Sequence, residues 1–189
     1  VYNATPENYE VITALSTLFF QLGEFRKAKD LVEKAIELDG SAPEGWIQLA
    51  LIELNLENLD ASIVAIDKSL ENFPSTDARK LKAKILYLKD NHDKALVEFD
   101  KLSREYPEDI YLMQCTAICQ YKTGETDAAM NTYRHILELD PKNEMAKGNI
   151  EAMSTLLKKD APVEDKGTVE TDQMLHRANE SYQQGDIEA

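Results

Sequence analysis

The chain has 189 residues, 43% of them hydrophobic and 30% charged, which is enough apolar content for a sizeable core and excludes a collagen-like or low-complexity protein. Its net charge of −14 repels a phosphate backbone and argues against nucleic acid as the main partner, since that affinity is carried by lysine and arginine. No apolar run approaches the roughly 18 residues needed to cross a bilayer, and Val1-Tyr2-Asn3-Ala4-Thr5-Pro6 lacks the charged and apolar regions of a signal peptide.

Residues 1–8, with Thr5-Pro6-Glu7-Asn8, read as the end of a preceding unit. Apolar residues then recur at helical spacing, with Val11, Leu15, Leu18, Phe19 and Leu22 before Gly23. A second helix follows, with Leu31, Val32, Ala35, Ile36 and Leu38 before Asp39-Gly40. The next unit opens on Ser41-Ala42-Pro43-Glu44, which has capping-box spacing ahead of Trp46, and runs through Leu49, Leu51, Leu54 and Leu56 to a turn at Glu57-Asn58. Its partner helix holds Ile63, Val64, Ile66 and Leu70 and closes at Phe73-Pro74. The third unit has Leu81, Ile85, Leu86 and Leu88, a turn at Asp90-Asn91, then Ala95, Leu96, Phe99 and Leu102 up to Tyr106-Pro107. The fourth has Met113, Ala117, Ile118 and Tyr121, then Gly124, then Ala129, Met130, Tyr133, Ile136, Leu137 and Leu139 up to Asp140-Pro141. Residues 144–158 form an amphipathic helix with Met145, Ile150, Met153, Leu156 and Leu157, predicted to cap the stack. Residues 159–169 read as a linker, charged and apolar-poor, and 170–189 as the first helix and turn of a further, truncated unit ending near Gly185. Both ends thus suggest a piece of a longer array.

Aligned in phase, the turn residues Gly23, Glu57, Asp90 and Gly124 are spaced by 34, 33 and 34 residues. The small residues Ala28, Ser62, Ala95 and Ala129, and the breakers Gly40, Pro74, Pro107 and Pro141, keep the same intervals. Ser16, Ala50, Ala83 and Ala117 each lie twelve positions before the small residue of the second helix, so that two backbones can approach closely there. A period in this range means stacked supersecondary units that share a continuous core. The units span 9–42, 43–75, 76–109 and 110–143. With no competing strand pattern, the fold class is all-α.

These units resemble tetratricopeptide repeats, whose pattern of about 34 residues runs Trp, Leu, Gly or Ala, Tyr, Ala, aromatic, Pro. The fourth matches best, through Gly124, Ala129, Tyr133 and Leu139-Asp140-Pro141, and the second supplies Trp46 with Leu49-Ala50. Gly40 departs from the closing proline, Glu57 and Asp90 from the turn glycine, and Arg79 and Lys82 from the usual Trp and Leu. The second unit is one residue short, which leaves the third free to shift register by one. The resemblance implies a right-handed superhelical solenoid of antiparallel helix-turn-helix repeats whose first helices line a concave face. It also implies ligand contacts at Glu10, Thr13, Thr17, Phe20 and Gln21 in the first unit and Glu44, Ile47, Leu51, Leu54 and Asn55 in the second. The third contributes Asp77, Lys80, Lys84, Tyr87 and Leu88, and the fourth Tyr111, Gln114, Ile118, Tyr121 and Lys122. Of these, Phe20, Leu51, Leu54, Asn55, Lys80, Lys84, Tyr87, Tyr111, Gln114, Ile118, Tyr121 and Lys122 form the candidate groove; the competing reading for Leu51, Leu54, Ile118 and Tyr121 is packing against neighbouring helices. Relatives that clamp a chaperone's terminal carboxylate use lysine, asparagine and arginine where this chain has Thr13, Thr17, Gln48, Asp77 and Leu81, so that clamp is not expected.

Catalysis is not expected either. His92, His135 and His176 do not converge on a nucleophile, and no phosphate-binding loop, HExxH or GxSxG pattern occurs. Cys115 and Cys119 sit four apart on one helix, where a disulfide is geometrically poor and two metal ligands are missing, so both read as reduced thiols of a core or groove. The sequons at Asn3 and Asn179 are taken as chance. No cofactor is implied. Residues 76–109 carry eight acidic and eight basic groups and form the neutral island of an acidic chain. The reading is a non-enzymatic scaffold that captures a peptide or helical segment of a partner protein, in the cytoplasm unless a removed signal or an anchor lies outside the chain. The alternative is a structural, self-associating array or the regulatory domain of a larger protein.

Overall fold

The computed structural model describes residues 8–158, which divide after Asn91 into two compact units. Of the preceding unit's end assigned to residues 1–8, all but Asn8 lies outside the described residues, as do the linker over 159–169 and the truncated unit over 170–189. The first unit holds α1 (Tyr9–Gln21), α2 (Phe25–Leu38), α3 (Pro43–Asn55), α4 (Leu59–Asn72) and α5 (Thr76–Leu88). The second holds α6 (His92–Glu105), α7 (Ile110–Lys122), α8 (Thr126–Leu139) and α9 (Glu144–Lys158). There is no strand among the described residues, and the chain is an all-α helical-repeat solenoid in which, within each unit, successive helices pack on one another.

The turns within hairpins follow one local rule. At Gly23, Glu57, Asp90 and Gly124 the backbone takes positive φ, of 75°, 63°, 57° and 86°. The N–H of each of these residues donates to the carbonyl three back, and the next N–H donates five back, as in Glu57 N to Leu54 O at 3.1 Å and Asn58 N to Glu53 O at 2.8 Å. This is a Schellman closure, in which a left-handed residue satisfies the helix's orphan carbonyls. A helix that starts directly out of this closure, α2, α4 or α8, has no side-chain cap. By contrast α1, α5 and α7 are capped by Asn8, Ser75 and Asp109, whose side chains accept backbone N–H groups. The capping box expected at Ser41 does not form. Ala42 is the N-cap of α3, and Ser41 instead donates its N–H and hydroxyl to the Asp39 carboxylate at 3.0 and 2.6 Å, while Pro43 opens the helix.

The small residues do what their spacing requires. Ser16, Ala28, Ala50, Ser62, Ala83, Ala95, Ala117 and Ala129 are all completely buried. In the first hairpin the Ser16 hydroxyl donates to the Ala28 carbonyl at 2.7 Å; in the second the polarity is reversed, with Ser62 donating to Ala50 at 2.6 Å. A hydroxyl can reach the opposite backbone only where no larger side chain holds the helices apart.

Two apolar clusters fill the first unit. Ala28, Val32 and Ile52 join α2 to α3 with Phe25, Ile36, Leu49 and Leu56 around them, and Ala50, Ala65, Ile66, Ala78 and Ile85 join α3, α4 and α5. Gly45 lets α3 close on α2, since a Cβ there would sit 3.1 Å from Ile36 Cγ1 and 3.2 Å from the Tyr9 hydroxyl. That hydroxyl in turn accepts the Gly45 N–H at 3.0 Å. In the second unit Met113, Ala117, Ala129, Met130, Tyr133, Ile136, Ala146 and Met153 form the core between α7, α8 and α9. The amphipathic pattern over 144–158 is thereby used: Ala146 and Met153 face α8.

One apolar face behaves otherwise. Val11, Leu15, Leu18 and Leu22, which the periodicity points towards a core, are 56%, 42%, 49% and 63% exposed, while the buried residues of α1 are Ile12 and Ser16.

Candidate functional site

In the first unit the expected contact residues fall on α1, α3 and α5. Phe20 and Leu54 are partly buried and pack against the two clusters, Phe20 also meeting Phe25 edge-to-face with centroids 5.4 Å apart. Leu51 is half-buried and Asn55 exposed, its amide donating to the Leu51 carbonyl at 2.8 Å. Lys80 and Lys84 are half-buried on α5. Between α1 and α3 the Gln48 amide nitrogen donates to the Thr17 hydroxyl at 2.8 Å. A neutral bond thus joins two of the places where a carboxylate clamp would put asparagines. Tyr87 is only 3% exposed, so it packs instead of presenting its ring.

In the second unit α7 is buried without interruption from Leu112 to Cys119. Ile118 is wholly inaccessible and Gln114 is 7% exposed. The family register puts both in the candidate groove, with packing as the competing reading for Ile118; along this buried stretch of α7 both side chains pack. Tyr111, Tyr121 and Lys122, at the two ends of α7, keep partial exposure, with Tyr121 resting on the core. Cys115 and Cys119 are free and buried, and burial pushes the Cys119 thiol far above its ordinary range, which removes its nucleophilicity. The same cause raises Tyr133.

A shallow cleft of about 390 Å³ opens elsewhere on this unit, among α6, α7 and α8. Its walls include Asp100, Ser103, Arg104, Thr116, Thr132 and His135 and none of the expected contact residues. Ser103 and Thr116 share a hydrogen bond at 2.9 Å, and Thr132 donates to the Gln120 amide oxygen at 2.9 Å, so these hydroxyls already have partners. Arg104 is held by Asp100 at 2.8 Å.

Sequence reasoning missed the polar ties between neighbouring hairpins. Glu53, 3% exposed, receives Lys29 at 2.6 Å and the Asn58 amide at 2.8 Å, and the hydrogen bond that Lys29 donates to Glu53 raises the Lys29 pKa. Lys82, one of the two off-pattern cations, pairs with Asp67 at 2.8 Å, and Lys89 pairs with Asp60. The departure from the usual Leu at Lys82 was therefore a signal of an ion pair to the preceding helix. Among the described residues no group of three or more metal-ligating side chains comes together, and no helix is long and apolar enough to cross a membrane.

The sequence matches the tetratricopeptide repeat family over residues 13–75 and 47–110, and again over 117–143. The chain belongs to the tetratricopeptide repeat family. Repeats of this kind typically serve as protein-interaction scaffolds. No curated protein matches the sequence. Among solved structures the fold is similar to YrrB, described as a tetratricopeptide repeat protein with an unusual peptide-binding site, at 18% identity and a TM-score of 0.69 over 96% of this chain and 89% of that one. It is also similar to MamA residues 41–end from Desulfovibrio magneticus RS-1, at 16% identity and a TM-score of 0.74, covering 94% of this chain and 98% of that one. A MamA crystal structure aligns at 22% identity and a TM-score of 0.67 over 74% of this chain and 82% of that one.

Proposed function

We propose that this protein-interaction scaffold captures a peptide or short helical segment of a partner protein on the first-helix face of its repeats, and acts by binding, without catalysis. The observation that carries the reading is the composition of the face on α1, α3 and α5. Leu51 and Asn55 are accessible beside the part-exposed Phe20 and Leu54, and α5 adds Lys80 and Lys84 in a chain that is otherwise acidic. Apolar anchors next to lysines suit a ligand that buries one or two aliphatic or aromatic side chains and offers a carboxylate. In the second unit, taken by itself, Tyr111, Tyr121 and Lys122 at the ends of α7 offer similar chemistry. Ile118, Gln114 and Tyr87 have a packing role in this reading. The peptide-binding site of the similarly folded YrrB supports the ligand class, not the ligand. Cytoplasmic residence fits the two reduced thiols.

A peptide display library, selected on the immobilised chain, tests it. Enriched sequences should pair an apolar anchor with acidic residues, and their binding should fall at least tenfold with Leu51→Glu or Lys84→Glu while thermal unfolding is unchanged. Enrichment of basic sequences, or binding indifferent to both substitutions, overturns the assignment.

A further inference from the structure

A shift of 67 residues, the length of two repeats in this chain, carries Ala28 to Ala95, Ala50 to Ala117 and Ser62 to Ala129. All six are completely buried, so the helices of the two units match residue by residue. The cleft among α6, α7 and α8 therefore has a counterpart among α2, α3 and α4. There Ile36, Trp46 and Leu49 pack into the apolar clusters, and the Trp46 indole N–H donates to the Gly40 carbonyl at 2.8 Å. The same shift turns these three residues into Ser103, Met113 and Thr116, each of which lines the cleft. Three smaller side chains, at places that hold an isoleucine, a tryptophan and a leucine in the first unit, account for the open space. Its volume of about 390 Å³ lies in the roughly 300–1,000 Å³ range of ligand sites.

The polar atoms of the wall are already engaged, and this favours an apolar guest. Ser103 shares a hydrogen bond with Thr116, whose hydroxyl also donates to the Leu112 carbonyl at 2.9 Å, and Thr132 donates to Gln120. A ring laid over these hydroxyls strands no donor, so their burial carries little desolvation cost. Met113 brings a thioether to the wall, and the Arg104 guanidinium and the His135 imidazole are planar groups on exposed side chains. All three favour an aromatic ring.

Charge distinguishes the two places further. Where the first unit has Glu33, Glu37 and Lys68, the second has Asp100, Arg104 and His135, so that Glu37 is replaced by a cation. Arg104 meets Asp100 through one nitrogen, Nη2, at 2.8 Å, and its side chain is 79% exposed, which leaves other guanidinium N–H groups accessible to an anion. We propose that the cleft binds an aromatic side chain of a partner protein, with a carboxylate beside the ring that pairs with Arg104. Its walls share no residue with the first-helix face, so the peptide-capture reading and this one fail separately.

The test is an NMR titration of the isotope-labelled full chain with the capped tripeptide Asp-Trp-Asp. Saturable shifts are expected at the backbone amides of Thr116, Thr132 and His135, and none with Asp-Ala-Asp. Ser103→Ile and Thr116→Leu together restore the side chains of the first unit and should weaken binding about tenfold or more. Arg104→Glu, at an exposed side chain, should weaken it about threefold, the scale of an exposed ion pair, while the chain stays folded. If the double variant fails to fold, Thr116→Leu alone carries the steric test. The inference is overturned by the absence of a saturable shift, by equal shifts with Asp-Ala-Asp, or by binding that is indifferent to the refilled cleft or to Arg104→Glu.

Discussion

Glu53 is held almost out of solvent on α3 by two groups, the Lys29 ammonium at 2.6 Å and the Asn58 amide at 2.8 Å. A buried carboxylate that loses its cation keeps the desolvation cost and forfeits the attraction, so removing Lys29 is more damaging than its own partly solvated position suggests. Lys29→Met should lower unfolding free energy by about 1.5–3 kcal/mol, read from urea denaturation at neutral pH. The sign with pH follows from the direction of the shift. Because the Lys29 pKa is raised above its ordinary 10.5, chiefly by the hydrogen bond to Glu53, the contribution is complete below 10.5 and disappears as pH climbs through the higher folded value. The gap between wild type and Lys29→Met should therefore hold from pH 6 to pH 10 and close in strongly alkaline buffer. A gap that closes on acidification through pH 8 to 6 would contradict it.

At the scale of the element, each hairpin turn needs one residue in left-handed backbone, and the chain fills the need with glycine twice and with Glu57 and Asp90 otherwise. Nothing lies within 4 Å of a Cβ built at Gly23 or Gly124, so glycine is there for its φ and not for space. A non-glycine residue in this region costs roughly 1–2 kcal/mol, against which the added freedom that glycine gives the unfolded chain sets about 0.4–1 kcal/mol. Glu57→Gly should then stabilise by roughly 0.5–1 kcal/mol, and Gly124→Ala should destabilise by a similar amount, both measured by thermal unfolding. Equal and opposite effects would identify the turn as the cause; a loss of stability in Glu57→Gly would mean that the glutamate side chain contributes what its backbone spends. These turns were legible in the sequence because the period marks them even where glycine is missing. The small-residue pairs were legible for the same reason. The direction of each helical face was not: Leu15 and Leu18 carry the periodicity of a core, and periodicity records that a face is apolar without recording what covers it. Gln114 shows the converse, since a contact position taken from the family pattern needs a helix that keeps one side open, and at Ile118 the burial of α7 favours the packing alternative. Lys82 stood out as a departure from the pattern and Glu53 did not, and only the distance to Asp67 or Lys29 makes an ion pair of each.

For the molecule as a whole, packing between chain neighbours has a mechanical consequence. In the first unit the clusters join α2 to α3 and α3 to α4 and α5, while a cluster in the second unit joins α7, α8 and α9. A linear array stabilised by nearest-neighbour interfaces opens in pieces, unlike a domain with one central core. Ile52 is the test position, completely buried where α3 meets α2. Ile52→Ala removes three methyl or methylene groups and leaves a cavity, at a cost of about 2–5 kcal/mol. That loss should appear first as faster amide exchange in α1 to α4, read by mass spectrometry on peptides from each helix, while α8 and α9 keep the protection they have in the wild type. The complementary substitution Ile136→Ala, at a side chain equally buried in the second unit, should reverse the pattern. Uniform loss of protection across all helices in both variants would show that the array unfolds as one cooperative body, and the division after Asn91 would then describe its packing and not its energetics.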